Sequence, residues 1–194
     1  MSTIIDYIGS TVFFGFLILT IGRVQLNLNS CQHQATYNVM TQRNAVALAQ
    51  QIEFDFAKIG YGAGASKITG ATENSITFRS DLSNNGNVDV ILYNIGTLSE
   101  SEMTSHPSDF PLKRRDSRGE IVQQIGLTVF SLSYFDSLNT QMAVPITHPD
   151  SIARIRSIEV TLRVENRDPI ISGTDTTYDA INWQKLIYPR SLSN

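Results

Sequence analysis

The sequence predicts an α+β protein in which one long, hydrophobic N-terminal helix packs its second half on an antiparallel β-sheet head. Three observations carry this prediction. Residues 7–22 (YIGSTVFFGFLILTIG) contain no charged side chain, and no proline interrupts the chain from Met1 to Gly60. Beyond Gly64 the apolar residues recur at period two instead of three and four, the change that separates strands from helices.

The N-terminal stretch is taken first. A bilayer core needs about 20 predominantly apolar residues in helical form, and Ile4–Leu26 supplies them. Left in water, so many Phe, Leu and Ile side chains would form an aggregation patch, so the segment belongs in lipid or among copies of itself. A secretory signal peptide would open with a basic region, whereas the first basic residue is Arg23. The competing readings are an ordinary single-pass anchor, or a helix that starts in the bilayer and is later packed into a filament. Asp6 is the informative residue, because an acid within a membrane segment is costly and calls for a cationic partner. The nearest candidate is the amino terminus of this or a neighbouring chain. Gly9, Gly15 and Gly22 each cost roughly 1 kcal/mol against Ala in a helix, and mark close helix contacts or a place where the helix can extend. Arg23 and Arg43 follow the span, which by the positive-inside rule would place the rest of the chain inside; two arginines so far apart do not set an orientation.

Asn27–Tyr37 is polar, with His33 as a solvated helix residue. From Val39 the helical pattern returns: Ala45, Leu48, Ile52, Phe56 and Ile59 form one apolar stripe that ends at Gly60-Tyr61-Gly62, a C-cap signal. A single helix to Ile59 would be about 85 Å long. Then come the strands. Ser75–Ser80 alternates, with Ile76 and Phe78 on one face, and Val88–Tyr93 is a second β-rich run. Between them Asn85-Gly86 is a hairpin signal. Met103–Pro111 reads as a surface loop, Leu112–Arg115 as a short strand, Asp116–Gly119 as a turn and Ile121–Ile125 as a connection. Leu127–Phe135 reads as a central strand, Asn139–Asp150 as a proline-containing loop, and Ile155–Val164 as the clearest strand, with Ile158, Val160, Leu162 and Val164 inward.

The Asp81–Asp89 loop carries two readings. Calcium takes six to eight oxygens, often from alternate loop positions around a glycine. Asp81, Ser83, Asn85, Asn87 and Asp89 alternate in that way around Gly86, but with two full charges and Leu92 at the place of a bidentate glutamate, so any Ca2+ site would be weak. The turn alone also accounts for the asparagines.

Composition narrows the function. The net charge of −3 gives no bulk electrostatic case for nucleic acid or an anionic surface, and no nucleic-acid partner is expected. The basic run Lys113-Arg114-Arg115 with Arg118 lacks interleaved aromatics and reads as a solvated strand end before it reads as a DNA or phosphate site. One cysteine, Cys31, excludes an internal disulfide; it is either an inert, packed residue or a thiol free to pair between chains. There is no Gly-rich phosphate loop, Cys-x-x-Cys, His-Glu-x-x-His or Gly-x-Ser-x-Gly, so no enzyme and no cofactor is expected.

Four pieces of the chain resemble type IV pilins and type II secretion pseudopilins, in particular W-type minor pilins and J-type pseudopilins. Counted from Ser2, Asp6 is the fifth residue of a hydrophobic helix, although the family's usual Phe at the first position is absent. Leu48–Gly64 (LAQQIEFDFAKIGYGAG) is similar to the exit of the family's long helix, and the Asp81–Asp89 loop after Thr77-Phe78-Arg79 is similar to its Asp-Asn-Gly loop. Pro189-Arg190-Ser191-Leu192 is one substitution from a Pro-Arg-Asn-Leu ending. The resemblance implies a pilin-like fold. Residues 1–29 would form the membrane or filament-core half of the helix, and residues 30–194 the globular head. It implies a non-enzymatic subunit of a pilus-like filament or secretion pseudopilus, with copies of itself or related pilins as partners and the bilayer as partner before assembly. Asp6, Gly15 and Gly22 would be the assembly residues, Asp6 neutralising a neighbour's terminal amine. Its location would be the inner membrane, then an extracellular filament or periplasmic pseudopilus. The alternative is a singly anchored binding module for calcium, DNA or a surface partner.

Overall fold

The computed structural model describes residues 2–64, 66–100, 106–166, 169–172 and 175–192. The chain divides into two compact units, Met1–Val39 and Met40–Asn194. Helix α1 (Ser2–Ala57) makes up the described part of the first unit and opens the second.

In the second unit the predicted stripe is the buried face of α1. Ala45, Leu48, Ile52, Phe56 and Ile59 are all in the core, the last three with no exposed surface. The helix stops at Ala57, two residues before the predicted end. The reason is local: the amides of Lys58 and Ile59 bond back three residues, to Asp55 and Phe56, which tightens the last turn. Gly60 then takes φ 79° and sends its N–H to the Arg79 carbonyl, 2.8 Å away.

Ten strands follow. A five-stranded antiparallel sheet is built in chain order from β1 (Ile68–Ala71), β2 (Ser75–Ser80), β3 (Asp89–Ile95), β4 (Leu112–Asp116) and β5 (Gly119–Gln123). A three-stranded sheet holds β6 (Leu127–Phe135), β7 (Ser157–Glu165) and β10 (Ala180–Ile187) in the order β10-β7-β6. Between them in sequence are a short helix α2 (Pro149–Ala153) and a two-stranded ribbon of β8 (Ile170–Ser172) and β9 (Asp175–Thr177). The pairing sets Ile76 against Tyr93 and Phe78 against Ile91, so all four side chains enter the same face of the first sheet and are buried. On β7, Ile158, Val160, Leu162 and Val164 are buried, as the alternation requires. The chain is thus an α+β protein with a long apolar N-terminal helix packed against antiparallel sheets.

Five expectations need correction. Ile121–Ile125 is not a plain connection, since residues 119–123 form β5, an exposed edge strand whose lack of alternation hid it. β6 is not central: β7 lies between it and β10, while the outer side of β6 is used by the Leu132 amide bonding to the Glu73 carbonyl and by Asn74 Nδ2 bonding to the Phe130 carbonyl, 2.7 Å each. The Asn139–Asp150 loop runs into α2, started by Pro149 and capped by His148, whose side chain accepts the Asp150 amide. Of the Met103–Pro111 surface loop, residues 103–105 lie outside the described residues, and His106 and Asp109 are buried. Cys31 is not packed but exposed on α1, on the polar stretch where His33 is also exposed.

Candidate functional site

The first unit is where apolar residues and burial disagree most. From Ile4 to Leu28 the large apolar side chains whose surroundings are described are exposed, reaching 75% for Tyr7 and 74% for Phe13. They lie on all sides of the helix, so no face is left over for water. A helix that is apolar all round is a membrane span or is buried by other chains. α1 is long and apolar enough to cross a membrane. The hydroxyls of Ser10, Thr11 and Thr20 donate to carbonyls three or four residues back, at 2.9–3.1 Å, which satisfies the serine and threonine hydroxyls of the apolar run within the helix. Ser30 and Thr36 do the same in the polar stretch, so this is compatible with lipid and not diagnostic of it. Asp6 and Arg23 are exposed. A Cβ added at Gly9, Gly15 or Gly22 would meet nothing within 4 Å. Among the described residues nothing therefore requires a glycine there.

In the second unit the strongest polar cluster joins α1 to the first sheet. Asp55 sits on the buried face of α1, one residue before Phe56, and is 3% exposed. Its Oδ2 accepts a hydrogen bond from the Tyr93 hydroxyl at 2.6 Å and another from Arg114 Nε at 2.8 Å. Arg114 Nη1 donates to Asp116 at 2.7 Å, and Asp116 also accepts the Arg118 amide at 2.8 Å. Burial pushes the Tyr93 hydroxyl's pKa up, and the Asp55 charge beside it pushes it further. Burial opposes charge on Arg114, but the bonds to Asp55 and Asp116 outweigh it and hold the guanidinium protonated. Asp116 feels burial too, yet its bonds to Arg114 and the Arg118 amide keep its carboxyl below the ordinary 3.8. Reading Lys113–Arg118 as a solvated strand end fails at Arg114, which alternates inward with Leu112. A signal was present: Asp55, three residues from Ile52 and one from Phe56, is an acid on the apolar stripe and must find a cation.

The Asp81–Asp89 residues are brought together as a turn. Asp81 is 5% exposed; its Oδ1 accepts the Asn85 amide at 3.1 Å and its Oδ2 the Gly86 amide at 2.8 Å. Asn85 Oδ1 accepts the Asn87 amide at 2.8 Å. Ser83 Oγ stands at 3.5 Å from Asp81, too far for a strong bond, and Asp89 pairs with Ser80 as β3 begins. Burial raises the Asp81 pKa, but the amides of Gly86, Asn85 and Asn84 together lower it below 3.8. The loop thus points N–H groups at its acid, the arrangement of a capped turn. Among the described residues no group of three or more His, Cys, Asp and Glu is placed to hold a metal ion.

His106 is a further buried titratable group. Its Nδ1 accepts the Ser108 amide at 3.2 Å, and its ring meets Tyr178 edge-on at 4.1 Å between centroids. Its Nε2 is 2.8 Å from Glu165 Oε2 but not aligned for a hydrogen bond. Two clefts open near α2. One groups Asp136, His148 and Ser151, but Asp136 is bonded to the amides of Leu138 and Thr140 and faces Arg154, and His148 Nδ1 accepts the Asp150 amide. The bonds of Asp136 and of His148 Nδ1 thus serve the surrounding loop and α2. No protein-family model and no curated protein sequence matches this chain.

Proposed function

We propose that the protein is a structural, non-enzymatic subunit of a pilus-like filament or secretion pseudopilus, held in the membrane by α1 and assembled from it. One observation carries the reading. The same unbroken helix that contributes to the core of the second unit begins with an all-round apolar run whose described large side chains are exposed. Such a surface is stable in lipid and, equally, among copies of the same helix, which is what moving from a bilayer into a filament requires. The acid at Asp6 supports it, because a charge in that run needs a partner from outside the helix. The resemblance of the start, helix exit, β2–β3 loop and tail to pilin-like proteins points the same way. On this reading the protein resides in the inner membrane and then in an extracellular filament or periplasmic pseudopilus. Asp81 serves on this reading as the cap of the β2–β3 turn.

The test is Asp6→Ala in the full chain. It should leave the second unit folded and the protein in the membrane, while filament yield falls about tenfold or more, the loss expected when an intramembrane charge pair is removed. Asp6→Glu should assemble, because the charge is kept. Normal fibres from Asp6→Ala would overturn the role of the acid. A wild-type chain that stays monomeric in the membrane would replace the filament reading with that of a singly anchored binding module.

A further inference from the structure

Residues 2–39 carry two charged side chains, Asp6 and Arg23, of opposite sign. Both are exposed, and the 16 residues between them carry no charge. They are 17 positions apart, about 26 Å along a helix axis, so one copy cannot pair them. Two lone opposite charges on a surface that must be buried by other molecules are complementary to a second copy of the same surface.

We propose that Asp6 of one copy pairs with Arg23 of a parallel second copy displaced along the helix axis by 17 residues, about 26 Å. This rests on the filament reading above and adds its register. The spacing is close to the thickness of a bilayer's hydrocarbon core, about 30 Å, so in a resident copy Arg23 can reach an interface while Asp6 is left without a partner. A copy drawn out by that distance brings its Asp6 level with the Arg23 of the next resident copy. The unpaired acid then meets a guanidinium. Copies inserted in one direction are parallel, so each uses its Asp6 on one neighbour and its Arg23 on another, a head-to-tail contact that stays open. At 3.6 residues per turn the two positions lie about 100° apart around the axis, so successive contacts turn and the array is helical. Gly22, where an added Cβ would touch nothing, allows close approach beside Arg23.

The experiment uses the full chain expressed in membranes, with fibres counted by negative stain and the protease resistance of the second unit as a folding control. Asp6→Arg and Arg23→Asp should each reduce fibre yield about tenfold or more by setting like charges together, and the double exchange should restore it to within about threefold. In a Cys31→Ser background, Asp6→Cys mixed with Arg23→Cys should give a disulfide-linked pair. One chain carrying both cysteines should give a ladder. Normal fibres from Arg23→Ala with no cross-link would overturn the pairing and leave the filament reading standing. Closed dimers without a ladder would mean an antiparallel pair and overturn the stagger. No fibres or oligomers from the wild type would overturn the filament reading, and this inference with it.

Discussion

Asp55 and Arg114 show what one buried charge demands of its surroundings. Replacing either leaves the other without its partner next to the Phe56, Phe78 and Tyr93 rings, whose centroids are 5.6 and 5.9 Å apart. Asp55→Ala and Arg114→Ala should each cost about 3–5 kcal/mol, read as a drop in the urea midpoint. Arg114→Lys should recover little, because one ammonium cannot reproduce the fork that meets Asp55 and Asp116. Wild-type stability from Arg114→Ala would show that the cluster is incidental. Acid should act on the same scale of single residues. Asp81, Asp116 and Asp136 are all held below their ordinary 3.8, Asp136 chiefly by the Thr140 amide. A lowered pKa means that the folded state binds protons less readily than the unfolded one. Their contribution is therefore full above the unfolded value and is lost as pH falls through the folded values. The urea midpoint should stay level from pH 7 to about 5 and fall below about 4, and Asp116→Asn should flatten part of that fall. A midpoint that rises on acidification would reverse the argument.

Between elements, three glycines at positive φ separate backbone strain from steric conflict. Gly86, at φ 82° in the β2–β3 turn, has open space where a Cβ would go. Alanine there should cost only the left-handed conformation, about 1–2 kcal/mol. Gly60, at φ 79° after α1, adds contact with the Lys67 side chain at 2.9–3.0 Å, which can move aside. Gly126, at φ 79° before β6, would set a Cβ 2.3 Å from the Glu165 carbonyl oxygen, a backbone atom in the strand that bonds back to it. The expected order of destabilisation by alanine is Gly86, then Gly60, then Gly126, measured by thermal unfolding. Gly126→Ala unfolding no earlier than Gly86→Ala would mean that the β6–β7 junction yields easily.

For the molecule as a whole, the unit boundary and the core membership agree on where folding information resides. Among the described residues every core residue lies from Ala45 onward, inside the second unit. A chain beginning at Ser30 should therefore be soluble and monomeric with the β-sheet signature intact, while the full chain requires detergent. Size-exclusion chromatography and circular dichroism decide it. Recovery of the shortened chain only as aggregates would mean that the first unit is needed to fold the second.

Some of this was decided by the sequence alone, because it depends on neighbours within a few residues. The α1 stripe from Ala45 to Ile59, the glycine exit, β2, β6 and the alternation of β7 follow from helix and strand periods, and each was legible before any contact was known. So was the apolar run that makes α1 a candidate membrane helix. The tertiary structure decided whatever depends on which distant residues meet. β5 has no alternation to betray it, and it is a strand because β4 pairs with it across the Asp116–Gly119 turn. β6 is at an edge because β7 bonds to both β6 and β10. Arg114 looked like one of four surface cations until the fold set it beside Asp55, 59 positions away. Asp81 carried both a turn reading and a ligand reading in the sequence, and only the closed loop shows two of its own amides on the carboxylate. A local pattern fixes which face of an element is apolar. Only the packing of elements fixes which polar group stands opposite it, and that partner decides whether a charge is a surface residue, a ligand or a buried support.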